Sequence, residues 1–564
     1  MKITSLLYLT SVGIFAGSLQ LPLARAADLT WNGGNSSWTD SGAWLLDGSS
    51  ADWINGSSAL FQTGSTLIVG SGISAAGLLY EGAAVTLNGG SLTLAGNASG
   101  SNGGSATLSG TALTLNSANQ EDRWTVRDTS LSGSSTLTKT GNGTVTLSGT
   151  HTANGTWNIN AGTLVFTGTR DITGGGQINI ASGAVLDASG GRLFHAANYA
   201  SNWEQPTITL NGGTLKLNQF GYNSASLGCL QNNFYALKFS SGTTSRVIIS
   251  QGYESGGTGS RGIYIAGWGT TAVIELGANQ TFTWSSSNGQ NFDSIVCESG
   301  AGSALQLDVG ENSVFNFDQK FANKNTANEY GAPTTSNFSG LSLIKSGSGE
   351  LVIKRANTIS SGRVVRVDAG KLTLDVDNAF GTGSGLGGVN IASGALLSMN
   401  GHTLNNTIEV VSGATLDMGG SSYASLVNWH EGGILLNTEN NKGTLNIMTR
   451  TELELGAKSW AGSVVTDTDT VFTLTTNQNL GALGAAVNCW IGGRGNNNTL
   501  QSISFTGGHD INIDNYGAKW AVILSENVTF QDTGDLTFSN NAADMTDTDA
   551  LYGAGAIAAN DTVT

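Results

Sequence analysis

Apolar and polar residues alternate along most of this chain, and glycine corners break the alternation at short intervals. INIASGAVLD from Ile178, VNIASGALLS from Val389 and IEVVSGATLD from Ile408 each place alternating apolar residues before a Ser-Gly-Ala corner and a second apolar run after it. VTLNGGSLTL from Val85, WNINAGTLVF from Trp157, ITLNGGTLKL from Ile208 and VRVDAGKLTL from Val365 keep the same grammar with a different corner. A period of two bounded by glycine predicts a strand, a tight turn and a second strand. A unit this short has no core of its own, so its apolar face must be covered by the next unit, which predicts a solenoid. With rungs ~4.8 Å apart and on the order of 20 to 25 residues per rung, the stack is expected to be roughly 100 Å long.

A longer internal match supports stacking. LTKTGNGTVTL from Leu137 returns as LIKSGSGELVI from Leu343, which aligns Lys139, Gly141, Gly143 and Leu147 with Lys345, Gly347, Gly349 and Ile353. Ala161-Gly162 and Ala369-Gly370 then restore the register after a small insertion, as a loop on one face of a coil allows.

Composition narrows the class without changing it. The chain has 564 residues, of which 81 are Gly and 3 are Pro, with 11% charged. Glycine at that level without a three-residue period excludes collagen, and the alternating Val, Ile, Leu and Thr argue against disorder. Helical spacing is hard to find beyond the N-terminus, so the fold is expected to be all-β. The net charge of −16 keeps a long rod soluble and leaves no basic stripe for nucleic acid or anionic lipid. Cys229, Cys297 and Cys489 are too few and too far apart for a disulfide framework, and each reads as a small buried hydrophobe.

Met1 to Ala26 reads as a secretory signal: Lys2 supplies the positive start, a mostly apolar run follows, and Ala24-Arg25-Ala26 is a small-x-small cleavage site. A membrane span is the alternative, but Gly13, Gly17 and Pro22 interrupt the run. Residues 27–60 are expected to form a cap in which Trp31, Trp38, Trp44 and Trp53 cover the open end of the first rung. A sugar-stacking platform is the other use for such tryptophans. Residues 61–504 are the expected β-helical body and 505–564 a distinct repeat region.

The Trp-rich opening LTWNGGNSSWTDSGAWLLDG from Leu29, the K-x-G-x-G units at Lys139 and Lys345, the A-G-x-L strands after them and NAFGTGSG from Asn378 together resemble proteins with autotransporter-associated β-strand repeats. That resemblance implies an exported passenger folded as a right-handed parallel β-helix. GDLTFSNNAA from Gly534, with Phe538 to Asn541 as a Phe-x-x-Asn unit, and GAGAI from Gly553 are similar to the repeats of chlamydial polymorphic outer-membrane proteins, although GAGAI departs from their usual GGAI. Both resemblances imply outer-membrane translocation machinery or a barrel encoded downstream as a partner. No ten-residue alternating strands of barrel type follow Gly508, and the chain stops at Thr564 apparently within a strand, so a piece of a longer passenger is the expectation.

Candidate chemistry is sparse, and no catalytic, cofactor-binding or metal residue is assigned. Gly383, Gly385 and Gly388 spell G-x-G-x-x-G, but chance supplies such strings at this glycine content and no helix pattern follows, so this is a turn. His151, His195, His402, His430 and His509 lack metal-ligand spacing. Carboxylates around Asp467 and Asp469 and from Asp544 to Asp549 offer hard oxygens for calcium, without an EF-hand glycine or the G-G-x-G-x-D nonapeptide, and solvated loops account for them as well. Arg363, Arg366, Asp368, Asp375 and Asp377 are the sharpest enzymatic option, since β-helical lyases and hydrolases gather acids and a base in a groove. The other copy of the repeat carries Asn158, Asn160 and Thr163 at comparable places, which favours ordinary surface variation.

The expected function is an exported passenger at the outer membrane, on the cell surface or in the medium: an adhesin or surface-structural protein without cofactor. Its loops, such as Phe194 to Gln205 and Phe321 to Phe338, would contact host glycan or matrix ligands, with Tyr199, Trp203 and Tyr330 as exposed aromatics. A glycan-cleaving β-helix enzyme is the alternative.

Overall fold

The computed structural model describes residues 28–33, 37–170, 176–193, 207–218, 237–249, 263–265, 269–285, 294–297, 302–323, 341–419, 423–430 and 432–437, and between 444 and 557 the strands together with Gly508. The expected leader, Met1 to Ala26, lies outside the described residues. Regular structure within them consists of short strands joined by turns. Apart from two antiparallel pairings in the cap, the strand pairings among the described residues are parallel. The fold is therefore an all-β parallel solenoid.

The alternation read from sequence sets which side chains enter it. Leu92, Leu113, Leu137, Trp157, Ile178 and Ile208 follow one another in register on successive strands, and all are buried. The residues between them on each strand face outward and are half-buried or exposed. Each rung thus lends the next the apolar surface that its own length cannot enclose, which is the physical basis of a stacked-repeat core.

Rung length varies where the sequence inserts. Thr93 pairs with Thr114, 21 residues on, and Thr114 with Thr138, 24 residues on. The step from Asn179 to Thr209 is 30 residues and that from Tyr264 to Val296 is 32. The ladder resumes in register after each longer step, as a stack of repeats tolerates added length between rungs.

The Ser-Gly-Ala corners form as one device. Gly183, Gly394 and Gly413 have φ of 73°, 79° and 74°, the left-handed region that lets the chain turn within one residue, and Ala184, Ala395 and Ala414 directly after them are buried. Gly383 and Gly385 also have positive φ, and Gly388 opens the strand Gly388–Ile391, so the G-x-G-x-x-G string is a turn.

The N-terminal tryptophans close one end of the stack. Strand Asp28–Trp31 lies parallel to Ser57–Phe61, and the hairpin of Trp44–Leu46 and Ser49–Ala51 then pairs antiparallel along its free edge. A second ladder begins at Ser65–Ile68, and there the backbone N–H of Trp38 donates to the Ile68 carbonyl at 2.8 Å. Trp38 and Trp44 are fully buried with ring centroids 4.9 Å apart, and Trp53 packs 4.7 Å from Trp44. The Trp44 Nε1–H donates to the Trp38 carbonyl at 2.8 Å, so burying the ring leaves its polar atom satisfied. Such a lid shortens, to the three-residue strand Ser49–Ala51, the edge that a parallel stack would otherwise present.

Candidate functional site

The most specific local chemistry belongs to the two K-x-G-x-G corners. Lys139 and Lys345 occupy inward-facing positions, in register with Leu115 and Ile159 and with Leu307 and Val367 respectively, and both are 0% exposed. The Lys139 Nζ donates to the carbonyls of Thr140 at 2.7 Å, Gly141 at 2.8 Å and Ala161 at 3.1 Å. The Lys345 Nζ repeats the pattern with Ser346 at 2.7 Å, Gly347 at 2.6 Å and Ala369 at 3.0 Å. Two acceptors sit in the lysine's own corner and the third in the corner of the next rung, so one ammonium ties two rungs together with all three of its donors used. Burial pushes both lysines down to about 8, with Asp308 opposing that shift at Lys345, so the ammonium is retained near neutral pH.

The glycines of the motif are required by contact as well as by conformation. A Cβ on Gly141 would stand 2.1 Å from the Ser117 carbonyl oxygen of the preceding rung, and one on Gly347 2.2 Å from that of Val309. Gly162 and Gly370, one rung further on, would each meet two glycine carbonyls at 2.4–2.5 Å. Three successive corners therefore touch backbone to backbone. The inward lysine was not read from the sequence, although its parity with Leu137 in LTKT carried the signal.

A second buried polar group follows directly. His151 and Arg170 face each other on the short ladder of Thr150–His151 and Thr169–Arg170, and both side chains are buried. The His151 Nδ1 accepts from the Leu131 N–H at 3.2 Å, and its ring stands edge-on to Trp157 at 5.7 Å. The Arg170 guanidinium lies 4.7 Å over the Trp157 ring and donates to the Gly155 carbonyl at 2.9 Å. Burial, then the Arg170 charge, hold the His151 imidazole down to about 4. Both residues sit inside the coil and serve packing; nothing in their sequence spacing announced the pair.

The residues of the enzymatic option do not converge. Arg366 and Asp368 form an ion pair with each other, 2.6 Å apart, on and just after strand Val364–Val367. Asp375 follows the next strand, in a separate ladder, and pairs with Lys354 at 2.7 Å. Asp377 accepts from the Thr403 N–H at 2.9 Å and sits 3.2 Å from the His402 Nδ1, and these bonds lower its pKa. Arg363 donates to the Gly362 carbonyl at 3.1 Å. The carboxylates among the described residues with a displaced pKa, Asp52, Glu350 and Asp377, are all lowered, whereas a general acid needs its pKa raised.

Among the described residues no group of three or more His, Cys, Asp and Glu could hold a metal ion. His430 pairs with Glu409 at 2.9 Å. His195, the acidic clusters around Asp467 and from Asp544 to Asp549, and the aromatics Tyr199, Trp203 and Tyr330 lie outside the described residues. The start of the expected loop from Phe321 is instead strand: Lys320–Asn323 pairs parallel with Ser294–Cys297, and Phe321 is buried with its ring 5.9 Å from Phe317. An apolar residue at that parity fills the core, so the stack includes Lys320–Asn323.

The outer faces differ along the chain. One outward column runs in unbroken register from Ser74 through Thr93, Thr114 and Thr138 to Asn158, Asn179 and Thr209, and the next residue in it, Lys238, is the first charged one. The flanking outward positions are Ser91, Ala112, Thr136, Gln177 and Thr207 on one side and Asn116, Thr140, Ala181 and Asn211 on the other, all uncharged. Other outward positions carry ion pairs between rungs: Lys216 with Asp187 at 3.9 Å and, beyond Thr244, Arg246 with Glu275, Arg355 with Asp318 at 2.6 Å, and Lys371 with Glu350 at 3.0 Å.

The passenger-associated-transport-repeat family matches residues 137–166, the stretch from Leu137 to Phe166 that contains the first lysine corner and the rung it ties down. No curated protein and no solved structure matches the chain.

Proposed function

We propose that this chain is the exported passenger of an autotransporter, carried to the outer surface of the cell and held there or shed, where it acts as an adhesin or surface-structural protein. The observation that carries this reading is the family match at 137–166 on a corner built to lock one rung onto the next. A parallel stack with inward lysine clamps supports a stiff display element, since each rung is tied to its neighbours by backbone ladders and by side chains. On this reading Met1 to Ala26 is the leader, 27–60 the lid, 61–504 the display body and 505–564 a continuation with repeats similar to those of chlamydial polymorphic outer-membrane proteins. A translocating barrel, encoded with the chain or apart from it, is the partner in export, and host glycan or matrix molecules are the ligands met by its loops. We read the chain as non-catalytic, because the acids that would serve cleavage are each engaged in their own ion pair or hydrogen bond.

The test is protease shaving of intact cells that express the complete reading frame, followed with an antibody against residues 28–437. Accessibility on intact cells, and loss of it when the leader is deleted, is the expected result. A chain shielded until the outer membrane is breached overturns the proposal.

A further inference from the structure

The column from Ser74 to Thr209 is uncharged in a protein whose charge of −16 would repel anionic partners from most of its length. Its pairings show no register shift, so the seven positions form a straight row with one polar side chain per rung, about 29 Å long at ~4.8 Å per strand. The hydroxyls of Thr93, Thr114 and Thr138 point outward, half-buried, and no other described residue engages them. The Asn179 Nδ2 donates to the Asn158 Oδ1 at 2.9 Å, which orients that pair and leaves further donors and acceptors facing out. The central and flanking positions hold no aromatic and no large apolar side chain, the anchors on which a protein partner's affinity would rest.

We propose that this face binds an extended, neutral polysaccharide laid along the axis of the stack, one sugar ring per rung. A β-1,4-linked hexose chain is flat, uncharged and hydroxyl-rich, and it repeats on the scale of a single rung. Each contact is a weak exchange of a water hydrogen bond for a protein one, and affinity comes from many of them in phase. The inference adds a contact on the strand face to the loop contacts of the display proposal and rests on that proposal for biological sense, but it is tested on purified protein, so either can fail alone.

The experiment is affinity electrophoresis of the purified full chain through gels containing a neutral β-1,4-mannan, with polygalacturonate as an acidic, α-1,4-linked comparison that differs in both charge and shape. Retardation by the mannan, none by polygalacturonate, and little change between low and high salt are expected. The variant T93V/T114V/T138V keeps β propensity and shape, and it should weaken retention by ~10-fold or more because three in-phase hydroxyls are lost together. T66V/T86V/T107V alters a column of only four positions, Thr66 to Ser130, on a different ladder, too short for a seven-ring contact, and should bind as the parent does. Absence of mannan binding, equal retention of the first variant, stronger binding to polygalacturonate, or steep loss of binding with salt each overturns the proposal. The salt and counterpart readings need only the parent chain, so they decide the matter even should a variant not fold.

Discussion

Val145 and Lys345 belong to one interior column. The register passes from Val145 through Leu164, Leu186, Leu215, Val247, Ile274 and Leu307 to Lys345 without a break. Val145 is the return strand of the first K-x-G-x-G unit and Lys345 is the lysine strand of the second. The two copies, which align residue by residue in sequence, therefore sit on adjacent faces of the coil. The corner device is local, and it works at whichever corner the chain has reached.

The lysine clamp predicts a large cost for its removal. Lys139→Met keeps a similar stem and strands three carbonyls that lose charge-assisted bonds, so the chain should lose about 3 kcal/mol or more. Lys139→Arg should also destabilise, because a planar fork does not match three acceptors converging on one nitrogen. Urea unfolding read by tryptophan fluorescence measures both; variants as stable as the parent would show that the ammonium holds nothing together.

Two glycines with the same φ separate conformational strain from collision. Gly183 has φ of 73° with nothing within 4 Å of an added Cβ, so Gly183→Ala should cost only the left-handed penalty of about 1–2 kcal/mol. Gly141, at φ of 71°, would press a methyl into the Ser117 carbonyl, and Gly141→Ala should cost about 3 kcal/mol or more. Similar midpoints for the two variants in a thermal melt would contradict the backbone contact between rungs.

The lid predicts a fault at one end of the molecule. Trp44→Ala removes a fully buried ring packed against Trp31, Trp38, Trp53 and Phe61 and should cost about 3–5 kcal/mol. Truncation before Ala59 takes away the hairpin and the strand Asp28–Trp31 altogether and should give aggregation through the uncovered end of the stack, where Ala59, Leu60 and Phe61 remain of their strand. Light scattering reports it; a soluble, fully folded truncation would remove the lid from the argument.

His151 should make stability fall in acid. Its folded value of about 4 lies below the 6.5 of an exposed imidazole, so between those values the unfolded chain binds more protons and folding weakens as pH drops. The penalty is absent above about pH 6.5 and approaches its full value, on the order of 3 kcal/mol, below about pH 4. His151→Phe should flatten this part of the pH profile, and an unchanged profile would assign the acid sensitivity elsewhere.

Much of this architecture was legible in advance because it obeys a period of two. The Ser-Gly-Ala corners at Gly183, Gly394 and Gly413 turned where the sequence placed them, and the tryptophans of residues 27–60 close the stack. Lys139, His151 and Arg170 were harder, since their types favour the surface and only the partners gathered by neighbouring rungs make burial tolerable. The face on which each repeat lies was not legible at all: it depends on how many corners intervene, and those are set by insertions of irregular length. Phe321 shows the same limit, as the strand Lys320–Asn323 runs into the first residues of what the sequence marked as a loop.

The inward lysines act only between adjacent turns, and so do the strand ladders. A chain organised this way never has to wait for its far end, because a finished turn is a template for the following one. It can be wound up progressively from either side of a narrow opening, each completed turn hindering backward slippage of the thread.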